Sequence, residues 1–150
     1  MPAFSFDQLS LFQGFSAQQI ELLQPLSTMC EQHEGDILFQ QGEAAEHLYL
    51  LVEGEAVVRY KPDDGPWLTV ARIRPEGVIG WSAALGSPAY TSSALCTTDS
   101  CLLRISGESL RRLCEEHPHT GSLVLERLAL IIAQRLRNTH NHVIALLEQG

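Results

Sequence analysis

The chain has 150 residues, of which 45% are hydrophobic and 19% charged, and its formal net charge is −8. This length suits one domain with a core that needs no disulfides or metals, and the composition argues against intrinsic disorder. The negative charge repels a phosphate backbone, so we expect no nucleic acid to bind this chain alone.

The first predicted element is a helix over residues 16–26. Ser16 followed by Gln19 has the spacing of a capping box. Apolar residues follow at helical spacing, namely Ile20, Leu22, Leu23 and Leu26. Pro25 predicts that this helix is short or ends early.

Residues 28–106 consist of short runs with period-two alternation, separated by glycines and prolines, which is typical of consecutive strands. Two strands are predicted to place alternate residues on one face: Leu48, Leu50 and Val52 in the first, and Ala56, Val58 and Tyr60 in the second. Asp64-Gly65 is predicted to turn a hairpin with residues that tolerate a positive φ. We therefore predict an antiparallel β-roll of the double-stranded β-helix (jelly-roll) type.

Two helices are predicted after the β-roll, over residues 107–117 and 120–149. Ser106 is the predicted N-cap of the first, and Pro118 is predicted to end it. The second has residues at alternating spacings of four and three, which is typical of a coiled-coil seam: Leu125, Ala129, Ile132, Leu136, Thr139, Val143 and Leu146. We predict a homodimer through this helix, and the alternative is a helix that lies wholly on its own domain. The predicted fold class is α+β, in a single domain over residues 1–150.

This order of elements resembles the cyclic-nucleotide-binding domain family, in particular its catabolite activator-like sensor domains. The family's core motif is matched at Gly35, Ile37, Gly42, Tyr49 and Gly54. Near the end of the chain, AQRLRNTHNHV is similar to the start of the dimer helix in those sensor domains. The resemblance implies the family's fold and a regulatory role.

Residues 77–94, GVIGWSAALGSPAYTSSA, stand where the family has its phosphate-binding cassette. In that cassette a Gly-Glu opens a short helical turn whose N–H groups face the cyclic phosphate. The Glu accepts a hydrogen bond from the ribose 2′-hydroxyl, and an Arg nine or ten positions later forms an ion pair with the phosphate. Here Gly80 is retained, but Trp81 replaces the Glu, and Tyr90 or Thr91 replaces the Arg. Losing both anchors is expected to weaken cyclic nucleotide binding about a thousandfold or more.

The cassette still offers turn amides, hydroxyl groups and two aromatic rings, which suit a nucleotide-like or aromatic small molecule. The candidate ligand-binding residues are Gly80, Trp81, Ser82, Ala83, Tyr90, Thr91, Ser92, Ser93, Arg135 and Thr139. The resemblance implies that Thr139 reaches the nucleotide base. Two alternatives remain open: Trp81 fills the site itself, or residues 91–93 form an ordinary strand with exposed hydroxyls.

The histidines do not predict a metal site. His140 and His142 point about 200° apart around a helix, and His117 and His119 lie at a helix junction. Because both pairs lie outside the β-region, they also argue against a metal-dependent β-roll enzyme. The sequence contains no motif of a nucleophilic enzyme or a phosphate-binding loop, so no catalysis is predicted.

The four cysteines form no Cys-x-x-Cys pair, and the N-terminus lacks the charge pattern of a signal peptide. These features predict reduced thiols in a cytoplasmic protein that does not engage a membrane.

The sequence therefore predicts a stand-alone, dimeric, non-catalytic sensor module for a small molecule other than cAMP or cGMP, or one that binds these nucleotides much more weakly. The family's transcription regulators carry a helix-turn-helix after the long helix, and this chain ends at Gly150 without one. The alternatives are a ligand-free dimerisation or protein-interaction domain, and the truncated sensor half of a transcription regulator.

Overall fold

The computed structural model describes residues Phe6–Gln149, without the side chains of Asp7, Thr139, His140, His142, Val143, Leu146 and Gln149. The helices are α1 (Ala17–Leu23), α2 (Gly107–Glu116) and α3 (Pro118–Gln149). The strands are β1 (Ser27–Gln32), β2 (Ile37–Phe39), β3 (His47–Glu53), β4 (Ala56–Tyr60), β5 (Leu68–Ile73), β6 (Val78–Ile79), β7 (Ser93–Cys96) and β8 (Ser100–Ser106).

The strands form two antiparallel sheets, ordered β1-β8-β3-β6 and β2-β7-β4-β5. The predicted α+β class and antiparallel β-roll are therefore confirmed. No helix within the described residues has the length and apolar character needed to cross a lipid bilayer.

Helix α1 begins with the predicted capping box. Ser16 Oγ accepts a hydrogen bond from Gln19 N at 3.2 Å, and Ser16 N donates to Gln19 Oε1 at 2.8 Å. The helix ends at Leu23, and a 3-10 turn over Gln24–Leu26 follows. Pro25 explains the early end, because it has no N–H for an α-helical hydrogen bond.

Strand β3 is buried on both faces, whereas the sequence pattern predicted only one. Leu48 and Leu50 belong to the helix-side core, which packs the first sheet against the helices. Tyr49 and Leu51 belong to the inter-sheet core between the two sheets. A central strand covered on both sides therefore shows a continuous apolar run, which hides the alternation.

Two predictions for the β4–β5 hairpin were wrong. Tyr60 is 42% exposed and its cross-strand partner Leu68 is 51% exposed, because this end of the hairpin extends past the core. Asp64 and Gly65 do not have a positive φ. Glycine is needed at position 65 for space, since a Cβ there would lie 2.8 Å from Pro62 Cγ.

Helices α2 and α3 meet at a close backbone contact. A Cβ on Gly121 would lie 2.6 Å from Cys114 Cα, so only glycine allows this approach. Pro118 is the first residue of α3 instead of the terminator of α2, because its fixed φ and missing N–H suit a first helical position. Val124 and Leu128 then bury one side of α3 in the helix-side core.

Candidate functional site

A cavity of about 430 Å³ lies between the β-roll and α3 and is partly formed by the predicted cassette. It brings together seven of the predicted ligand-binding residues: Gly80, Trp81, Ser82, Tyr90, Thr91, Ser92 and Arg135. It also includes Phe39, Val58, Leu85, Gly86 and Ser87, which the sequence reasoning missed. Period-two alternation could have found Phe39 and Val58 as inward residues, but no sequence signal assigned them to the cavity.

The remaining predicted ligand residues lie elsewhere. Ala83 is fully buried; its carbonyl accepts from Arg111 Nη1 at 2.5 Å, and a Cβ on Gly107 would lie 2.5 Å from the same oxygen. Ser93 is 4% exposed and its Oγ accepts from Gln41 N at 2.8 Å. The side chain of Thr139 lies outside the described residues.

The cassette turn depends on Gly80. This residue has a φ of 74°, and a Cβ on it would lie 3.0 Å from Phe39 Cε2 and 3.2 Å from His47 O. Both the left-handed backbone and the close neighbours favour glycine here. A 3-10 turn follows over Trp81–Ala83, and the first N–H groups of such a turn have no partner within it. Backbone N–H groups at the start of a helical turn are donors that suit an anion.

Trp81 forms part of the cavity wall. Its half-buried indole packs against the helix-side core and leaves the cavity open beside it. The indole can stack on a flat ligand, but it cannot accept a hydrogen bond from a ribose hydroxyl as a carboxylate does.

Tyr90 is held by contacts within the protein. Its ring stacks on Phe39 with centroids 3.7 Å apart, and its hydroxyl donates to His47 O at 2.5 Å and accepts from His47 N at 3.1 Å. Burial raises the pKa of Tyr90, so the hydroxyl is neutral at physiological pH. Because the hydroxyl proton is already donated, Tyr90 does not replace a phosphate-binding Arg. Thr91, by contrast, is an exposed residue that lines the cavity.

Arg135 brings a cation to the cavity from α3. Its Nη1 donates to Val78 O at 3.1 Å, two residues before Gly80, and burial lowers the pKa of this guanidinium from its ordinary value. Arginine stays charged at neutral pH. None of the described side chains that line the cavity is acidic, so its polar character combines one cation with hydroxyl groups.

No group of three or more His, Cys, Asp and Glu side chains in the described part of the chain is arranged to hold a metal ion. The lining of the cavity offers a cation on Arg135, the indole of Trp81, and the hydroxyls of Ser82, Thr91 and Ser92.

Replacing Tyr90 by Phe is expected to lower the free energy of unfolding by about 1–3 kcal/mol, because the N–H and carbonyl of His47 lose their partner in a partly buried site. Urea denaturation measures this change. Tyr60→Phe is the matched control and should change stability by less than about 0.5 kcal/mol, because Tyr60 is 42% exposed. Equal effects of the two substitutions would contradict a structural role for the Tyr90 hydroxyl.

A family model and a known relative both assign this chain to one family. Residues 31–117 match the family model of the cyclic nucleotide-binding domain. The chain is 24% identical over 137 residues to the CRP-like cAMP-activated global transcriptional regulator of Mycobacterium tuberculosis, covering 91% of this chain and 59% of that protein. The chain thus spans about three fifths of that relative's length.

Solved structures share the fold. A cyclic nucleotide-binding domain from Methylobacillus flagellatus superposes with a TM-score of 0.80 at 20% identity, covering 93% of this chain and 79% of that one. The c-di-GMP responsive global regulator of Xanthomonas campestris superposes with a TM-score of 0.74 at 20% identity, covering 88% of this chain and 65% of that one. The family match covers more than half of the chain and includes the whole cassette, so this protein belongs to the cyclic nucleotide-binding domain family.

Proposed function

We propose that this chain is a non-catalytic sensor module whose cavity binds a small molecule other than cAMP or cGMP, or binds those nucleotides only weakly. The observation that carries the proposal is a cavity of about 430 Å³ whose glycine turn is kept while Trp81 and Thr91 stand at the anchor positions. A cavity of this size lies within the range of small-molecule sites. The proposed module is cytoplasmic, which agrees with four unpaired cysteines.

The lining residues define the class of ligand. Arg135 and the turn amides favour an anionic group, and Trp81 favours a flat ring beside it. Ser82, Thr91 and Ser92 offer hydroxyls that both donate and accept. A cyclic nucleotide would find no carboxylate for its 2′-hydroxyl and no cassette Arg for its phosphate. We therefore expect an aromatic or nucleotide-like anion that does not depend on those two anchors.

The related proteins support a variable ligand. The M. tuberculosis relative is named for activation by cAMP, and the X. campestris regulator for its response to c-di-GMP. Two proteins that match this chain are thus named for different nucleotides, so the shared fold alone does not select the ligand.

The proposed module is a homodimer through α3. Leu136 is 65% exposed and Leu147 is 74% exposed. At about 100° per residue, Ala129, Leu136 and Leu147 lie within about 20° of one another around the helix. The buried Val124 and Leu128 lie about 80–140° away on the face that packs on the β-roll. A second copy of α3 would cover the exposed apolar face.

Isothermal titration with cAMP, cGMP and c-di-GMP tests the ligand proposal. We expect no binding of cAMP or cGMP below about 100 µM, because the lost anchors raise the dissociation constant about a thousandfold. Mass spectrometry of protein denatured after gentle purification is expected to release an anionic small molecule, and Arg135→Met should abolish its retention. Micromolar affinity for cAMP would contradict the proposal. Absence of any retained or binding small molecule would favour the ligand-free interaction domain.

A further inference from the structure

A second cavity of about 430 Å³ lies on the outer face of the β2-β7-β4-β5 sheet. Ala94 and Cys96 point into the inter-sheet core, so Leu95 between them faces outwards into this cavity. Its main side chains come from β2, β4 and the β4–β5 connection: Ile37, Arg59, Lys61, Pro62 and Trp67. None of its lining residues is shared with the cassette cavity. We call it the outer cavity.

The base of the outer cavity is held in place by one glutamine. Gln41 Nε2 donates to Lys61 O at 3.1 Å, and Lys61 N donates to Gln41 Oε1 at 3.0 Å. The Gln41 backbone N–H also donates to Ser93 Oγ at 2.8 Å. These bonds fasten the segment after β2 to the end of β4, so the outer cavity is formed before any ligand arrives.

Arg59 is the unexplained group in this cavity. Its guanidinium lies over the Trp67 ring, with Cζ 5.0 Å from the ring centroid. Its Nε is buried, yet it has no hydrogen-bond partner in the described structure. Neighbouring Arg72 pairs with Glu55 at 3.3 Å, but the ion pairs among the described residues do not include Arg59. A buried donor without an acceptor is rare in native proteins, and an anion bound beside Arg59 would supply that acceptor.

The charges around Arg59 favour an anion. Arg59 and Lys61 place two cations at the cavity, against the single acid Asp63, in a chain whose net charge is −8. The guanidinium fork matches the two oxygens of a carboxylate. Trp67 is 45% exposed and Ile37 is 54% exposed, which leaves apolar surface for the body of the ligand.

We propose that the outer cavity is a second binding site, and that it takes a small aromatic carboxylate. The carboxylate pairs with Arg59 and Lys61, and the aromatic body lies against Trp67 and Ile37. The site is independent of the cassette cavity, so a ligand can occupy either one alone.

The two tryptophans allow a direct test, because Trp67 lines the outer cavity and Trp81 the cassette cavity. Protein labelled with 5-fluorotryptophan should give two ¹⁹F resonances, which Trp67→Phe and Trp81→Phe assign. Titration with 2-naphthoate is expected to shift the Trp67 resonance saturably, with a dissociation constant of about 1 mM or tighter for a ligand of that size. The Trp81 resonance reports any 2-naphthoate in the cassette cavity, which is also proposed to take an aromatic anion, and Arg135→Met should remove that shift without changing the Trp67 titration. The neutral isostere 2-naphthamide should shift the Trp67 resonance at least about tenfold more weakly.

Variants separate a specific site from general charge attraction. Arg59→Gln should weaken 2-naphthoate binding about tenfold or more, whereas Arg72→Gln, which changes a neighbouring arginine outside the cavity, should leave it unchanged. Circular dichroism melting confirms that both variants fold. The proposal is overturned if 2-naphthoate gives no saturable shift below about 10 mM, or if Arg59→Gln and Arg72→Gln bind it equally.

Discussion

The double variant Trp81→Glu/Thr91→Arg is expected to bind cAMP about a thousandfold more tightly than the native chain. Glu at position 81 supplies an acceptor for the ribose 2′-hydroxyl, and Arg at position 91 supplies a fork for the phosphate. Each hydrogen bond to a charged group contributes about 1.5–3 kcal/mol, and each 1.4 kcal/mol is a factor of ten. Isothermal titration at constant salt measures the change.

The geometry favours Thr91 over Tyr90 for the new arginine. Thr91 is exposed and lines the cavity, whereas Tyr90 is 6% exposed and holds the backbone of His47. Replacing Tyr90 would therefore disrupt the inter-sheet core. Trp81→Glu removes an apolar contact with the helix-side core, so we expect a lower melting temperature without loss of the fold.

Trp81→Gln/Thr91→Gln is the matched control, since it has side chains of similar length without their charges. It should bind cAMP no more than about tenfold more tightly than the native chain, because neutral hydrogen bonds contribute less. If the charged variant gains nothing over this control, the absent Glu and Arg are not what limits cyclic nucleotide affinity.

Local sequence signals predicted the fold well. The Ser16–Gln19 capping box depends on neighbours in the chain, and the structure contains it. The short runs between turn residues were likewise correctly assigned to the strands of two sheets. The Gly80 turn was placed by the resemblance to the family's cassette, and its φ of 74° is one that favours glycine.

Long-range contacts account for what the sequence did not predict. The Tyr90 hydroxyl binds a backbone 43 residues away, which no local pattern indicates. Ala83 lies in the predicted cassette, but its carbonyl faces Arg111 of α2 instead of the cavity. Arg59 stands between Val58 and Tyr60, so the period-two pattern predicts a solvent-facing side chain, yet Arg59 lies half-buried over Trp67.

The heptad pattern could not distinguish the two sides of α3. Of the predicted seam, Leu125 packs partly against the helix-side core of its own chain, Ile132 is half-buried, and Ala129 and Leu136 are exposed. The side chains of Thr139, Val143 and Leu146 lie outside the described residues. Among the described residues of α3, three large exposed apolar residues were not in the predicted seam: Leu130, Ile144 and Leu147. A long helix with apolar residues around much of its circumference has several faces that could form an interface. Its free face can be identified only when the face that packs on the β-roll is known.

Leu136→Glu is expected to convert the proposed dimer into a folded monomer. Leu136 is 65% exposed in a single chain, so its burial in a dimer would contribute about 2 kcal/mol per copy. In a symmetric dimer the substitution removes the Leu136 side chain from both subunits and places two carboxylates on facing helices. The dissociation constant should therefore rise about a thousandfold or more. Sedimentation equilibrium over a range of protein concentrations measures this shift.

Two further substitutions separate association from folding. Val70→Glu adds the same charge at a 54% exposed position on β5, and it should leave the dissociation constant unchanged. Leu125→Glu should lower the melting temperature, because Leu125 packs against its own core. A native chain that sediments as a monomer at every concentration would refute dimerisation through α3. A dimer that persists in Leu136→Glu would show that the interface lies on another surface, because a charge at this position of a buried helical seam is not tolerated.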